Sequence, residues 1–440
     1  MPKVRRSPLP PTRPTIRQEE AMPTNDPLNV VHPRAAGLDV HKLQITASVC
    51  LARPGARAEI LTETFGALPS GLSALVAWLR RHGVTHAAME GTGVYWQAPF
   101  EALEEAGIRP LLMNAQMVKQ LKGRKTDVAD SVWLATIAQF GLGSPSMIPP
   151  APFRRLRQIS RLRRALVRDG ARLRNRIHKV LDAAGVRIQG VISDLFGVNG
   201  LRILDGLVAG SPPEAILRSL SPHVRPRLEE LHDALSARLD EESLFLLADL
   251  LEAWHQVQRR LARYDTAIDR GLSGFREALE LLMTIPGIDR ESASAILIEL
   301  GPDIRVFRSR RHCAAWAGLC PGNNESAGKR RISQTRRGNP TLREVLVECA
   351  HGGARTHDCQ FQGYHQALTI RRGQKRAIVA TAHKMLRVIY AVLRDQRPYR
   401  DPQTDYEAIM VRRNAPRWIA ILQKHGIDPV TGLPAMTAAT

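Results

Sequence analysis

The feature that most constrains this chain is a hydrophobic period that switches repeatedly between two residues and a helical turn, from Ala35 to Phe140. "GLDVHKLQITASVCLA" and "ARAEILTETF" alternate polar and apolar residues and read as a strand pair. In "LPSGLSALVAWLRRHG", Leu72, Leu75, Val76 and Leu79 recur at helical spacing, and Gly83 stops the helix. "VTHAAME" is a short strand ending at Glu90. "YWQAPFEALEEAG" is a helix, "IRPLLMN" a strand, and "TDVADSVWLATIAQF" a further helix. Elements in this order predict helices packed on a mixed sheet, an α/β domain over residues 35–145.

Downstream the period is helical. "APFRRLRQISRLRRALVRDGARLRNRIHKV" holds eleven Lys or Arg against one acid, Asp169. "LEELHDALSARLDEESLFLLADLLEAWHQVQRRLARYD" mixes charges around a Leu stripe, which predicts one long helix or coiled-coil arm whose stripe is core or dimer interface. Residues 151–277 are therefore expected to be a basic helix and coiled-coil linker region, and residues 278–397 a mainly α C-terminal domain. The tail, 398–440, is expected to wrap loosely. Residues 1–34 form a basic, Pro-rich arm without the apolar core of a secretory signal, expected to be disordered.

Charge narrows the partners. Lys plus Arg number 63 against 42 Asp plus Glu, a net charge of +21. Such a surplus must face something anionic. Nucleic acid leads. An anionic membrane is the rival, but no apolar run is long enough to span a bilayer. The five cysteines are odd in number and form no CxxC pair, which fits a reducing compartment. Cys349, His351, His357 and Cys359 lack the paired spacing of a structural zinc site.

The acids at the ends of the α/β elements are the candidate chemistry. Asp39 lies within the first strand, and Glu90 ends a later one, where open sheets collect ligands. Asp127 and Asp130 in "KTDVADS" are three apart and share a helical face. Taken singly, each has a plain structural use: a strand-end cap, a helix-start acid, or a complement to a helix dipole that Arg124 and Lys125 help to neutralise. Taken together, four hard oxygen donors suit Mg²⁺, and two such ions would clamp a phosphodiester during in-line displacement.

"GLDVHK", "EGTGVYW" and "KTDVADSVWLA", in this order and spacing, resemble the three motifs of the DEDD transposases of the insertion-sequence 110/1111 class. The resemblance spans about a quarter of the chain and implies a RuvC-like, RNase H-like first domain. The family's four metal-binding catalytic acids map onto Asp39, Glu90, Asp127 and Asp130.

"IPGIDRESASAIL" resembles a helix-hairpin-helix, in which the turn at Pro286 and Gly287 and the next helix N-terminus would grip phosphates. An ordinary turn between helices is the other reading. "AWAGLCPGNNESAGKRRISQTRRGNPTLR" reads as a loop. It sets Ser326 before Lys329, Arg330 and Arg331, then Arg336 and Arg337, whose cations can hold a phosphate and stabilise charge in transfer. A lone serine there would otherwise be a turn residue. The string resembles the C-terminal transposase domain of the same family, which implies that Ser326 is the nucleophile joined covalently to DNA. Ser333 is the alternative register, since the family's Ser-Gly pair reads "SAG" here.

The resemblance implies further expectations. The enzyme would recombine the DNA of a mobile element with its target, guided by a structured non-coding bridge RNA. The acidic and serine domains of different subunits would compose one site in a homo-oligomer, dimer or tetramer. It would work in the bacterial cytoplasm at the nucleoid, with no membrane partner. Arg154, Arg155, Arg157, Arg161, Arg163, Arg164 and Arg168 of the basic helix, and the helix around Lys375 to Arg387, are the expected nucleic-acid surfaces, against the plainer reading of a solvated face. Two other readings stand beside the transposase. A water-using junction nuclease leaves Ser326 without a role, and a non-catalytic architectural protein does not need the four acids.

Overall fold

The computed structural model describes residues 29–53, 56–91, 93–114, 127–222, 227–237, 239–321, 324–326, 329–332, 335 and 338–432. The chain divides into two compact units, Met1–Ser146 and Met147–Thr440. Most of the Pro-rich arm lies outside the described residues.

The first unit is built on a five-stranded mixed sheet. Its strands are β1 (Arg34–Val40), β2 (Gln44–Arg53), β3 (Ala56–Gly66), β4 (His86–Glu90) and β5 (Arg109–Met113), in the order β3-β2-β1-β4-β5. The first three pair antiparallel, and β1, β4 and β5 run parallel. This is the order of an RNase H-like domain. Helices α1 (Pro69–Arg81) and α2 (Gln97–Glu105) make the two connections that parallel pairing requires.

One strand expectation changes. "GLDVHKLQITASVCLA" is two strands rather than one, because the His41 amide bonds the Gln44 carbonyl at 2.9 Å and folds His41–Leu43 into a tight turn. Leu43, at 76% exposure, is the apolar residue left outside by that turn.

Helix α3 (Asp127–Gln139) crosses the sheet at β1. A Cβ on Gly37 would lie 2.1 Å from the Ser131 carbonyl oxygen and 2.2 Å from the Ala135 nitrogen, so only glycine permits this approach. The buried Ser131 hydroxyl meets Ser48 of β2 at 2.8 Å, and Ser48 meets its cross-strand partner Thr62 at 2.8 Å. The buried hydroxyls of Ser48 and Ser131 satisfy each other and hold the helix in register on the sheet.

Among its described residues the second unit is helical apart from one hairpin. Its longest elements, α4 (Ala151–Ala183) and α8 (Glu241–Gly271), lie antiparallel. At one end Ile177 and Leu181 pack with Leu247 and Leu251 in a core completed by α5 (Val198–Val208), α6 (Pro213–Arg218) and α7 (Leu228–Leu235). At the other, Phe153 and Leu156 join Ile268 and Leu272 in a second core. That core also holds α9 (Arg276–Met283), α10 (Arg290–Leu300), α11 (Arg310–Trp316), α12 (Pro340–Arg355), α13 (Gln360–Arg372) and α14 (Gln374–Asp395). One end of the long pair is thus built into the core of the segment that follows. The Leu stripe is two helices, because Asp240 accepts from the Ser243 amide at 2.8 Å and caps a new start. The tail also departs from expectation: Asp405 caps a helix, α15 (Tyr406–Lys424).

No described helix is long and apolar enough to cross a membrane.

Candidate functional site

The sheet places the acids of the first unit. Residues 35, 37 and 39 share one face of β1, because side chains alternate along a strand. Ala35 packs with Leu134, Ile137 and Ala138, and Gly37 lies under Ser131 and Ala135. The helix therefore runs antiparallel to β1, and the next residue on that face, Asp39, falls at its first turn, where Asp127 and Asp130 stand. Strand β4 lies alongside in parallel, with Leu38 opposite Met89, so Asp39 and Glu90 are next in register at the C-terminal ends of adjacent strands. Neighbouring strands are about 4.8 Å apart. Ala88, two residues before Glu90, packs in the same cluster as Ala35, so Glu90 shares the face of Asp39.

Asp130 is exposed, and Asp39 has a side chain only 19% exposed. His41 Nε2 lies 3.1 Å from Asp39 Oδ2 and orients that carboxylate. The sequence reasoning passed over His41, although it stands two residues after Asp39 in the same motif. It also passed over Gly37 and Ser131, whose signal was their small size beside the acids.

The acids offer only carboxylate oxygens, the donor chemistry that suits a hard divalent cation. Among the described residues no group of three His, Cys, Asp or Glu stands close enough to hold a metal ion. The Asp127 side chain lies outside the described residues, and the side chains of Asp39, Glu90 and Asp130 form no such group; what places the four acids at one end of the sheet is the backbone alone, through the strand register and the contact of α3 on Gly37.

In the second unit the expected loop contains a β-hairpin, β6 (Asn324–Ser326) and β7 (Lys329–Ile332), with Ser326 paired to Lys329 and Glu325 to Arg330. Ser326 is thus the last residue of its strand. The side chains of Ser326, Lys329, Arg330 and Arg331 lie outside the described residues, as do Ser333, Arg336 and Arg337 altogether.

The base of this segment is closed by described contacts. Pro321 bridges Thr335, and the Asn339 amide bonds the Trp316 carbonyl at 3.1 Å. The Asn339 Nδ2 donates to Glu299 Oε2 at 2.6 Å, while its Oδ1 accepts from the Leu342 amide and caps α12. Glu299 is fully buried. Arg161 grips it with two bonds, 2.8 and 2.9 Å, and Arg157 Nε lies 3.4 Å away. The paired bonds to Glu299 raise the Arg161 pKa. Arg157 is driven the other way, to about 10, because burial outweighs the pull of Glu299 at longer range.

This network gives most of the arginines expected to face nucleic acid a partner within the protein. Arg154 is buried and donates to the Pro149 carbonyl at 3.1 Å. Arg157 and Arg161 hold Glu299. Arg163 bonds Asp265 and Glu291, and although burial opposes its charge, these two acids leave its pKa raised. Arg164 meets Glu348 at 3.0 Å, and Arg168 meets Glu344 at 3.0 Å. The counter-charges come from α8, α10 and α12, which a count within the helix cannot include. Among the described residues Arg155, Arg176 and Lys179 are exposed and in no ion pair.

Gly287 is likewise a packing residue. Its φ is +86°, and a Cβ there would lie 2.3 Å from the Gly353 nitrogen and 2.4 Å from the Cys349 carbonyl oxygen of α12. The N-terminus of α10 is capped by its own Asp289, which accepts from the Ser292 amide at 2.8 Å while Ser292 Oγ accepts in return. A carboxylate already meets the helix dipole where a phosphate was expected.

Comparison with known proteins finds a match in each unit, the first running on into α4 of the second. Residues 36–185 match a DEDD family model described as "Transposase", and residues 279–366 match "Transposase IS116/IS110/IS902 family". A "probable family 20 transposase" of Pseudomonas aeruginosa is 27% identical over 321 residues, covering 71% of this chain and 85% of the relative. The transposase for insertion sequence element IS1111A of Coxiella burnetii is 32% identical over 128 residues, which are 28% of this chain and 35% of the relative. The RuvC structure of Thermus thermophilus aligns at 16% identity over 26% of this chain and 99% of its own, with a TM-score of 0.21.

Proposed function

We propose that this chain, which belongs to the IS110 class of DEDD transposases, cuts and rejoins the DNA of a mobile element by passing a phosphodiester through a serine. The observation that supports the reading is the close approach of α3 to Gly37, which, with the register of β1 beside β4, sets the backbones that carry Asp39, Glu90, Asp127 and Asp130 toward one end of the sheet.

Asp39, Glu90, Asp127 and Asp130 are the residues that would hold Mg²⁺. When bound, the ion neutralises charge developing on the phosphate oxygens. His41, with Nε2 3.1 Å from Asp39 Oδ2, would help to fix the orientation of that carboxylate. In the second unit Ser326 supplies the nucleophile. Its Oγ forms a bond to phosphorus as the bond to a deoxyribose oxygen breaks, and that oxygen leaves with the electron pair and takes up a proton. Attack by the hydroxyl of a second strand reverses the step and frees the serine. One phosphodiester replaces another, so no external energy source is needed. Lys329, Arg330 and Arg331 balance the charge of the phosphate, with Arg336 and Arg337 on the same segment.

A structured guide RNA fits this chemistry. Pairing would select the DNA, leaving the protein to read backbone and shape, and the exposed Arg155, Arg176 and Lys179 suit that task. The working form is a homo-oligomer, dimer or tetramer.

The test is a covalent adduct. The full chain is incubated with junction DNA of its element, the flanking transcript and Mg²⁺, then denatured and mapped by mass spectrometry. The expected product carries a nucleotide on Ser326, and Ala at Asp39, Glu90, Asp127 or Asp130 abolishes it. An adduct on Ser333 moves the nucleophile by one register. Cleavage with no adduct overturns the serine and favours water as nucleophile.

A further inference from the structure

Helices α13 and α14 and the segment leading into α15 line an open cavity of about 520 Å³. Its wall from His383 to Tyr406 lies beyond the last residue that either family model matches. Five cationic side chains line it, Arg310, Lys384, Arg387, Arg397 and Arg400, against one acid, Asp395. That acid is held by Arg394 at 2.7 Å. Among the described residues, none of the four lining arginines makes an ion pair.

Lys384 sits at the centre of an aromatic wall. Its Nζ donates to the Tyr406 hydroxyl and lies 4.7 Å from the Tyr364 ring centroid and 4.1 Å from that of Tyr406. Burial lowers its pKa to about 8; Asp401 opposes the shift and Arg387 adds to it. Asp401 itself is already engaged, accepting from the Tyr399 hydroxyl at 2.6 Å and from the Gln360 and Gln403 amides at 2.8 Å. Like charges are therefore crowded around a concave site whose one lining acid, Asp395, is already paired with Arg394, which is a mark of a binding pocket.

We propose that this pocket binds one unpaired nucleotide of a single-stranded nucleic acid, with its phosphate on Arg387, Lys384 and Arg400 and its base against the tyrosine-lined wall. The volume lies within the range of small-ligand sites. A cluster for inorganic phosphate would need the cations alone, whereas aromatic faces beside cations are what an exposed base and its phosphate require together. In a duplex the faces of a base are covered by its stacked neighbours, so a base that lies against this wall is unpaired. The inference rests on reading the chain as a nucleic-acid enzyme and adds which part of a strand it holds, and where.

The test uses the full chain and fluorescence anisotropy. The probes are labelled oligothymidylate and oligouridylate of about eight nucleotides, the span of a short single-strand site, and a blunt DNA duplex. The protein is compared with Arg387→Gln/Arg400→Gln, two exposed positions whose substitution leaves the fold intact by melting. At least one single strand is expected to lose roughly ten-fold in affinity while the duplex changes by less than about two-fold. The strand that loses identifies RNA or DNA as the occupant. A 4-thiopyrimidine in the same oligomer should also cross-link to a peptide containing Tyr364 or Tyr406. Unchanged single-strand binding, or an equal loss on the duplex, overturns the pocket. If the parent binds duplex but neither single strand, the pocket falls and the transposase reading stands. If it binds no nucleic acid at low salt, both fall.

Discussion

Replacing Glu299 by Ala tests whether the arginines of α4 serve the protein interior. The carboxylate is fully buried and takes two bonds from Arg161, one from Asn339 and the nearby charge of Arg157. Its removal strands Arg157, whose side chain is only 12% exposed, and leaves the Asn339 amide without its acceptor. Breaking a buried pair by deleting one partner costs about 3–5 kcal/mol, because the other charge stays buried uncompensated. For a large domain each kcal/mol moves the melting temperature by about 2–4 °C, so a fall of roughly 10 °C is expected. Glu299→Gln keeps an acceptor for Asn339 and should fall less. The assay is thermal unfolding of the full chain by circular dichroism. A fall below about 2 °C for the alanine variant would refute the argument, since it would mean that Arg157 and Arg161 do not depend on Glu299. The tether from Glu299 to Asn339 closes the segment that carries Ser326, so adduct formation should decline at temperatures where the variant is still folded.

Other outcomes follow from the same geometry. Gly37→Ala places a methyl against the Ser131 carbonyl and should cost at least about 1–3 kcal/mol by overpacking, together with DNA cleavage; a stable, active variant would separate α3 from the placement of the acids. Arg155→Gln and Arg176→Gln should each lower the slope of log affinity against log salt by about 1 in duplex binding, whereas Arg164→Met should lower the melting temperature instead. Single-strand affinity should fall as pH rises through about 8, where Lys384 loses its proton in a pocket it shares with His383, Arg387, Tyr364 and Tyr406 and with Asp401 nearby. The same depressed pKa means that the unfolded chain binds more protons between about 8 and the ordinary lysine value, so this group's contribution to stability rises with pH across that window.

Much of the α/β unit was legible in the linear chain because period and punctuation are local. The strand at Glu90, the helix from Asp127 and the short strand between them fall where alternation, Gly turns and helical spacing put them. The turn at His41–Leu43 was not legible, because Leu43 continues the apolar alternation and only the pairing of β1 with β2 turns it out to solvent. The break at Asp240 was missed for a related reason: the Leu stripe runs on across it, and the cap is a single side-chain bond.

By itself, the sequence determined which residues are available for chemistry: four carboxylates in a characteristic order, a serine in a basic segment, and a large surplus of positive charge. Tertiary structure decided where their backbones lie. Gly37 lets a helix lie directly on β1, and that contact sets the first turn of α3 toward the end of the sheet that carries Asp39 and Glu90. It also decided which charges face inward. The arginines of α4 read as a nucleic-acid surface while only their own helix is counted, yet Asp265, Glu291, Glu299, Glu344 and Glu348 reach them from three other helices. A charge has no partner until the chain folds, and the range of the Coulomb interaction is set by distance in space, not by separation along the sequence.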